Sequence, residues 1–213
     1  RYGGQAGIRL SSPWHRLAAA LFLQEPRLLT TQSISADSRL LIRRELRHRI
    51  KAMAPFLDLR GDPYLVSVPI ADGTAGYDSN QHQYWIIEGY THSSSYPYSA
   101  YAGFDDDDRY LRNAVKIVVD AYNGSVHFYV NEPNDPIIRG WMRVFPSLFD
   151  SIETMPAVLK GHLRVPEELF NVKVKQLQRY HVTDLRSFYS GDDIWEVPME
   201  MYGRKQVPVV PYH

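Results

Sequence analysis

The sequence contains no cysteine. That absence excludes a disulfide framework and a thiolate zinc site, and it fits a reducing or an oxidising compartment equally well. A charge surplus is missing too: 24 basic residues balance 24 acidic ones. The chain as a whole therefore supplies no phosphate-neutralising field, and nucleic acid is not an expected partner. Long hydrophobic runs are absent as well. The longest, Leu17 to Leu23, falls far short of the roughly 20 residues that span a bilayer, so the chain as it stands reads as soluble.

Chemical signatures are equally scarce. There is no G-x-S-x-G elbow, no phosphate loop of the G-x-x-x-x-G-K-[ST] type, no G-x-G-x-x-G and no H-E-x-x-H, so the enzyme classes that a sequence most readily declares lose their support. The eight histidines are scattered, no internal repeat is visible, and no cofactor is expected. An enzyme assembled from distant residues stays open.

What is present suffices for one domain spanning residues 1–213. With 213 residues, 44% of them hydrophobic, the chain can hide roughly 70% of the surface its unfolded form exposes. It opens on Arg1 and stops within the strand-like "VPVVPYH", so both ends read as cuts from something longer.

Periodicity divides the chain into three regions. "SSPWHRLAAALFL" offers Ser12 as N-cap and Pro13 at the first helical position, with Trp14, Leu17 and Leu21 at helical spacing; a helix over 13–23 follows. A second helix is expected from Asp37 to Ala54, where Ile42, Leu46, Ile50, Met53 and Leu57 form an apolar stripe that Pro55 ends. Its other faces carry Arg39, Arg43, Arg44, Arg47, Arg49 and Lys51, a basic surface that is either simply solvated or able to lie on anionic lipid headgroups. The period then falls to two. "YLVSVPI" (64–70), "YWIIEGYT" (84–91), "NAVKIVVDAY" and "SVHFYV" read as strands. Helices return at Pro136, at Thr154 or Met155, and at Pro166 with Glu167 and Glu168 in its first turn. The fold class is α+β: a central antiparallel sheet with an Asn-Gly hairpin, and helices from both ends of the chain packing on it.

The hairpin "DAYNGSVHFYV" sharpens the search for a site. Asn123-Gly124 suits a two-residue type I′ turn, which makes facing residues sum to 247 and sets Asp120 opposite His127. One face, with Ile117, Val119, Ala121, Val126, Phe128 and Val130, is apolar. The other, with Lys116, Val118, Asp120, Tyr122, Ser125, His127, Tyr129 and Asn131, is mixed and should be half covered. The Asp120–His127 pair is either a cross-strand ion pair or the core of an acid–base site with Glu88 nearby.

Asp105, Asp106, Asp107 and Asp108 are either a solvated acidic loop or hard ligands for Ca²⁺, although they lack the alternating pattern of an EF-hand. The tyrosines of "SSSYPYSAY", Tyr96, Tyr98 and Tyr101, together with Tyr122 and Tyr129, either pack under a loop or offer a sugar or protein partner a rigid amphipathic surface.

The set "YGGQAGIRLSSPWHRLAAAL", "DSRLLIRRELRHRIKAMAPFLDLRGDPYLV", "YWIIEGYTHSSSYPYS", "RYLRNAVKIVVDAYNGSVHFYV", "DPIIRGWMRVFPSLF", "MPAVLKGHLRVPEELF" and "YHVTDLRSFYSGDDIWEVP" resembles, in that order, the soluble region of an uncharacterised family of large multi-pass bacterial membrane proteins. The resemblance implies kinship and no particular activity. It implies a plasma-membrane protein whose extracytoplasmic portion includes this chain, incomplete at its C-terminus, with its own transmembrane region as a partner and an envelope protein, glycan or lipid surface as others. Three functional readings follow: a non-enzymatic extracytoplasmic binding domain, a cell-envelope hydrolase using Asp120, His127 and Glu88, and a structural support for the transmembrane part.

Overall fold

The computed structural model of the chain describes residues 6–69, 81–101 and 107–209. The fold class is α+β, with a five-stranded sheet as its centre and helices before and after it in sequence. The chain opens with a short strand β1 (Ile8–Arg9), helix α1 (Pro13–Leu23), the single turn α2 (Arg27–Thr30), strand β2 (Arg39–Leu40) and helix α3 (Leu46–Met53). Helix α1 has the expected bounds. Ser12 accepts a hydrogen bond from the His15 amide at 3.3 Å, Pro13 stands in the first turn, and Gln24 closes the helix in the left-handed region at φ 54°.

The helix expected over 37–54 is half as long. Arg39 and Leu40 pair antiparallel with Arg9 and Ile8, and Arg43 takes φ 50°, which no helix continues through. Two local devices make the extended form favourable. Glu45 caps α3, accepting from the amides of Arg47 at 2.9 Å and His48 at 2.6 Å. The Arg49 guanidinium reaches back to the carbonyls of Arg43 at 2.9 Å and Ile42 at 3.4 Å, satisfying acceptors that helical amides would otherwise take. The apolar stripe is divided accordingly: Ile50 is buried and Met53 is exposed.

Strands β3 (Asp58–Pro69) and β4 (Gln81–Ser93) are longer than the period-two segments suggest, and β5 (Tyr110–Asp120) and β6 (Val126–Val130) follow. After helix α4 (Pro136–Val144) the chain adds β7 (Phe149–Ser151) parallel to β6, with Phe128 beside Phe149, so the strand order is sequential from β3 to β7. This parallel edge strand has no signature in the sequence. A 3₁₀ turn (Ile152–Thr154), α5 (Ala157–Lys160), α6 (Glu167–Tyr180), α7 (Leu185–Ser190) and the antiparallel ribbon of β8 (Met199–Tyr202) and β9 (Lys205–Pro208) complete the described chain.

The turn between β5 and β6 differs from the expected type I′ hairpin. The Asp120 amide donates to the Ser125 carbonyl at 2.9 Å, and the Gly124 amide donates to the Asp120 carbonyl at 2.8 Å. Facing numbers therefore sum to 245, and Asp120 stands opposite Ser125. Gly124, at φ 68°, is the only residue of the turn in the left-handed region. A type I′ turn needs that conformation at Asn123 as well. Asp120 favours the longer loop by accepting, through Oδ1, from the amides of Tyr122 and Asn123, each at 2.7 Å. A slip of two residues keeps every side chain on its face and changes only the pairing.

The chain divides into two compact units. One comprises Arg1–Phe56, Leu65–Ile86 and Val118–His127; its core includes Ile50, Val66, Val68 and Val119. The other comprises Leu57–Tyr64, Ile87–Ile117 and Phe128–His213, with Tyr90, Val115, Ile117, Phe128 and Ile138 in its core. Seven consecutive residues of β5, Asn113 to Val119, are buried. The face expected to be half covered is covered at Lys116, Val118 and Tyr129, while His127 is exposed.

Candidate binding surface

Asp135 organises the polar interior of the second unit. It caps α4, accepting from the amides of Ile137 at 3.3 Å and Ile138 at 3.1 Å. The same carboxylate accepts from the Thr91 hydroxyl at 2.7 Å and from the Tyr110 phenol. One buried side chain thus ties α4 to β4 and β5. Burial, followed by the bond to Asp135 and its charge, pushes the Tyr110 phenol up to about 12.

Tyr110 carries a surface. Its ring stacks on Tyr96 at 5.5 Å between centroids, and Arg112 lies over it at 5.6 Å. Arg109 lies over the Tyr101 ring at 4.7 Å and donates to the Tyr101 hydroxyl at 3.0 Å. Ser99 donates to the Arg109 carbonyl at 2.8 Å, and Tyr98 is held out fully exposed at φ 58°. Tyr96, Tyr98 and Tyr101 are all exposed, so the packed reading of this stretch is wrong. Tyr96 stacks on Tyr110 and Tyr101 meets Arg109, and both leave their outer edges to solvent. Of the other two tyrosines, Tyr122 is exposed at the hairpin and Tyr129 is buried in β6.

The acidic run has a different role at its end from either reading. Asp108 is buried, pairs with the Arg60 guanidinium and bonds His92 Nδ1 at 2.8 Å. Arg60 also bonds Asp58. Asp108 is therefore an anchor of β5 against its neighbours, not a solvated loop acid. Asp107 is exposed, and Asp105 and Asp106 lie outside the described residues. Among the described residues no group of three or more His, Asp or Glu side chains is placed to hold a metal ion.

The acid–base candidates fall in different surroundings. Asp120 Oδ2 bonds His82 Nε2 at 2.8 Å, with both side chains about nine-tenths buried, while its Oδ1 serves the turn. His127 is on the same face, two positions beyond Ser125. Glu88 is buried and accepts through Oε2 from Lys116 at 2.7 Å and Asn113 at 2.8 Å. The sequence conceals both contacts, because the partners lie 38 and 28 residues apart. Next to Glu88 on β4 runs Tyr90, a buried phenol pushed upward first by burial and then by the charges of Glu88 and Glu168.

A separate apolar groove of about 420 Å³ is lined by Phe170, Val174 and Leu177 of α6 and by Trp195, Pro198 and Pro208 near the β8–β9 ribbon. None of the residues singled out in the sequence lines it.

The described features define an α+β domain with a fixed tyrosine–arginine surface and carboxylates committed to internal bonds. The chain belongs to UPF0182, an uncharacterised protein family whose model matches residues 1–213. It is similar to the UPF0182 protein of Synechococcus sp. strain CC9902, 61% identical over 214 residues, covering 100% of this chain and 23% of that protein. The UPF0182 protein of Parasynechococcus marenigrum is 61% identical over 212 residues, 100% of this chain and 24% of its own. That of Microcystis aeruginosa is 42% identical over 212 residues, 100% and 21%. The chain thus spans less than a quarter of the length of these curated relatives. No solved structure matches it. Among the described residues no helix is long and apolar enough to cross a membrane.

Proposed function

We propose that this chain is a non-catalytic binding domain, carried on the extracytoplasmic side of a membrane-anchored protein, and that the Tyr96–Tyr98–Tyr101 surface takes a glycan. The observation that carries this reading is the exposure of three tyrosines, two of them held in place by neighbours: Tyr110 under Tyr96, and Arg109 over Tyr101. Rigid aromatic faces stack on the apolar faces of sugar rings, and the flanking arginines and hydroxyls offer donors to sugar oxygens at little cost in conformational freedom. The carboxylates that a hydrolase would draw on support binding over catalysis, since Asp120 caps a turn and bonds His82 while Glu88 faces a buried lysine.

The test is retention of the purified chain on an array of envelope oligosaccharides, with Tyr98→Ala and Tyr101→Ala as paired variants. Both side chains are exposed, so the variants should fold and lose binding. Retention unchanged in both variants, or no retention of the wild-type chain on any glycan, overturns the reading. Protease treatment of intact cells making a tagged full-length relative tests the location: cleavage within this segment is expected, and protection refutes it.

A further inference from the structure

Helix α1 is amphipathic with its large apolar side chains turned outward. The residues it buries are two alanines, Ala19 and Ala20. Trp14, Leu17, Leu21 and Phe22, spaced i, i+3, i+7 and i+8, share one arc of the helix and are 77%, 37%, 71% and 68% exposed. No charged residue interrupts that arc: Arg16, the one charged residue in α1, lies on the opposite side and reaches the Ile34 carbonyl. Leu29 of the following turn α2 is exposed as well.

The charge of the segment that carries this helix is not that of the whole chain. Residues 6–56 hold nine basic side chains (Arg9, Arg16, Arg27, Arg39, Arg43, Arg44, Arg47, Arg49 and Lys51) against three acidic ones (Glu25, Asp37 and Glu45), a net of +6 in a protein of net zero. An exposed Trp-Leu-Phe arc suits the boundary between headgroups and acyl chains, and a cationic segment suits an anionic one. A protein partner could cover the apolar arc, but the basic excess matches a continuous anionic surface.

We infer that α1 docks this unit in the plane of an anionic lipid bilayer, with Trp14, Leu21 and Phe22 entering the interface and the exposed Arg27, Arg43 and Arg44 meeting the headgroups. This surface is independent of the tyrosine surface and of the ligand proposed for it. The experiment is flotation of the 213-residue chain with vesicles of phosphatidylcholine alone and of phosphatidylcholine with phosphatidylglycerol. Binding to the anionic vesicles is expected, weakening as salt rises. Trp14→Ser/Leu21→Ser/Phe22→Ser should lower partitioning more than about tenfold, because the apolar contact supplies the insertion. Arg27→Glu/Arg44→Glu should lower it on anionic vesicles by roughly fivefold per residue removed. Brominated acyl chains should quench Trp14 fluorescence, and Trp14→Phe should float normally while losing that share of the quenching. The inference is overturned if the chain fails to float with anionic vesicles, if the triple variant floats as well as the wild type, or if the arc proves covered by a second copy in light scattering without any lipid binding. The triple variant's melting temperature should match the wild type's, which separates lost docking from lost folding.

Discussion

Replacing Asp135 by Ala should be among the most damaging single changes on the surface-bearing side of the sheet. The side chain caps α4, a role whose loss costs about 1 kcal/mol. It also accepts from Thr91, whose hydroxyl is buried and would be left unpaired, at a cost of about 2 kcal/mol. Tyr110 is half-buried and can recover water, so its lost bond counts for about 1 kcal/mol. Removing a buried carboxylate returns part of its desolvation cost, which leaves a net loss of about 3 kcal/mol. For a chain of this size that corresponds to a fall of roughly 6–12 °C in Tm. Asp135→Asn keeps the cap and one acceptor oxygen and should lose about half as much. The assay is urea denaturation followed by circular dichroism, with the midpoint shifting and the slope unchanged. A loss below about 0.5 kcal/mol for Asp135→Ala, or a larger loss for Asn than for Ala, would refute the assignment of this carboxylate as a four-bond hub.

The buried pair in β4 and β5 makes a second test: Lys116→Met leaves Glu88 without its cation and should cost about 3–5 kcal/mol, while Glu88→Leu/Lys116→Met should regain most of it in the same denaturation assay. Gly124→Ala should cost about 2 kcal/mol in thermal melts, since a side chain at φ 68° is strained and its Cβ would meet the Arg49 guanidinium. The Tyr110 phenol, raised to about 12, gives stability that is fully present below the ordinary phenol value near 10 and lost as the pH rises from there through about 12. Melts across that window should show a steeper fall for the wild type than for Tyr110→Phe, and equal slopes would contradict the assignment.

Elements whose ends are written in neighbouring residues were legible in the sequence. Ser12-Pro13 fixed the start of α1, Asp135-Pro136 that of α4, and Pro166 with two glutamates that of α6. The α+β class followed from the change of period. What escaped depends on partners far away in sequence. The apolar stripe over 37–54 cannot reveal that Arg39 has a strand partner near residue 9. Asn123-Gly124 looked like a two-residue turn because the competing bonds come from the Asp120 side chain. The sequence placed a helix start at Pro136 but could not show that Asp135 bonds Thr91 and Tyr110, 44 and 25 residues earlier. Tyr96, Tyr98 and Tyr101 are exposed, which the sequence could not decide, because no local pattern distinguishes a ring at the surface from one packed beneath a loop.

The clasp made by Arg49 bears on the order in which the molecule assembles. Besides holding the carbonyls of Ile42 and Arg43, its guanidinium donates to the Gly124 carbonyl, 75 residues along the chain. The turn that presents Gly124 is closed by bonds within residues 120–125. Closing a loop of 75 residues carries an entropic cost that only an already ordered target can offset. The turn is therefore expected to be in place before Arg49 finds it, so the N-terminal segment is recruited late and should be the first to detach when the protein is heated.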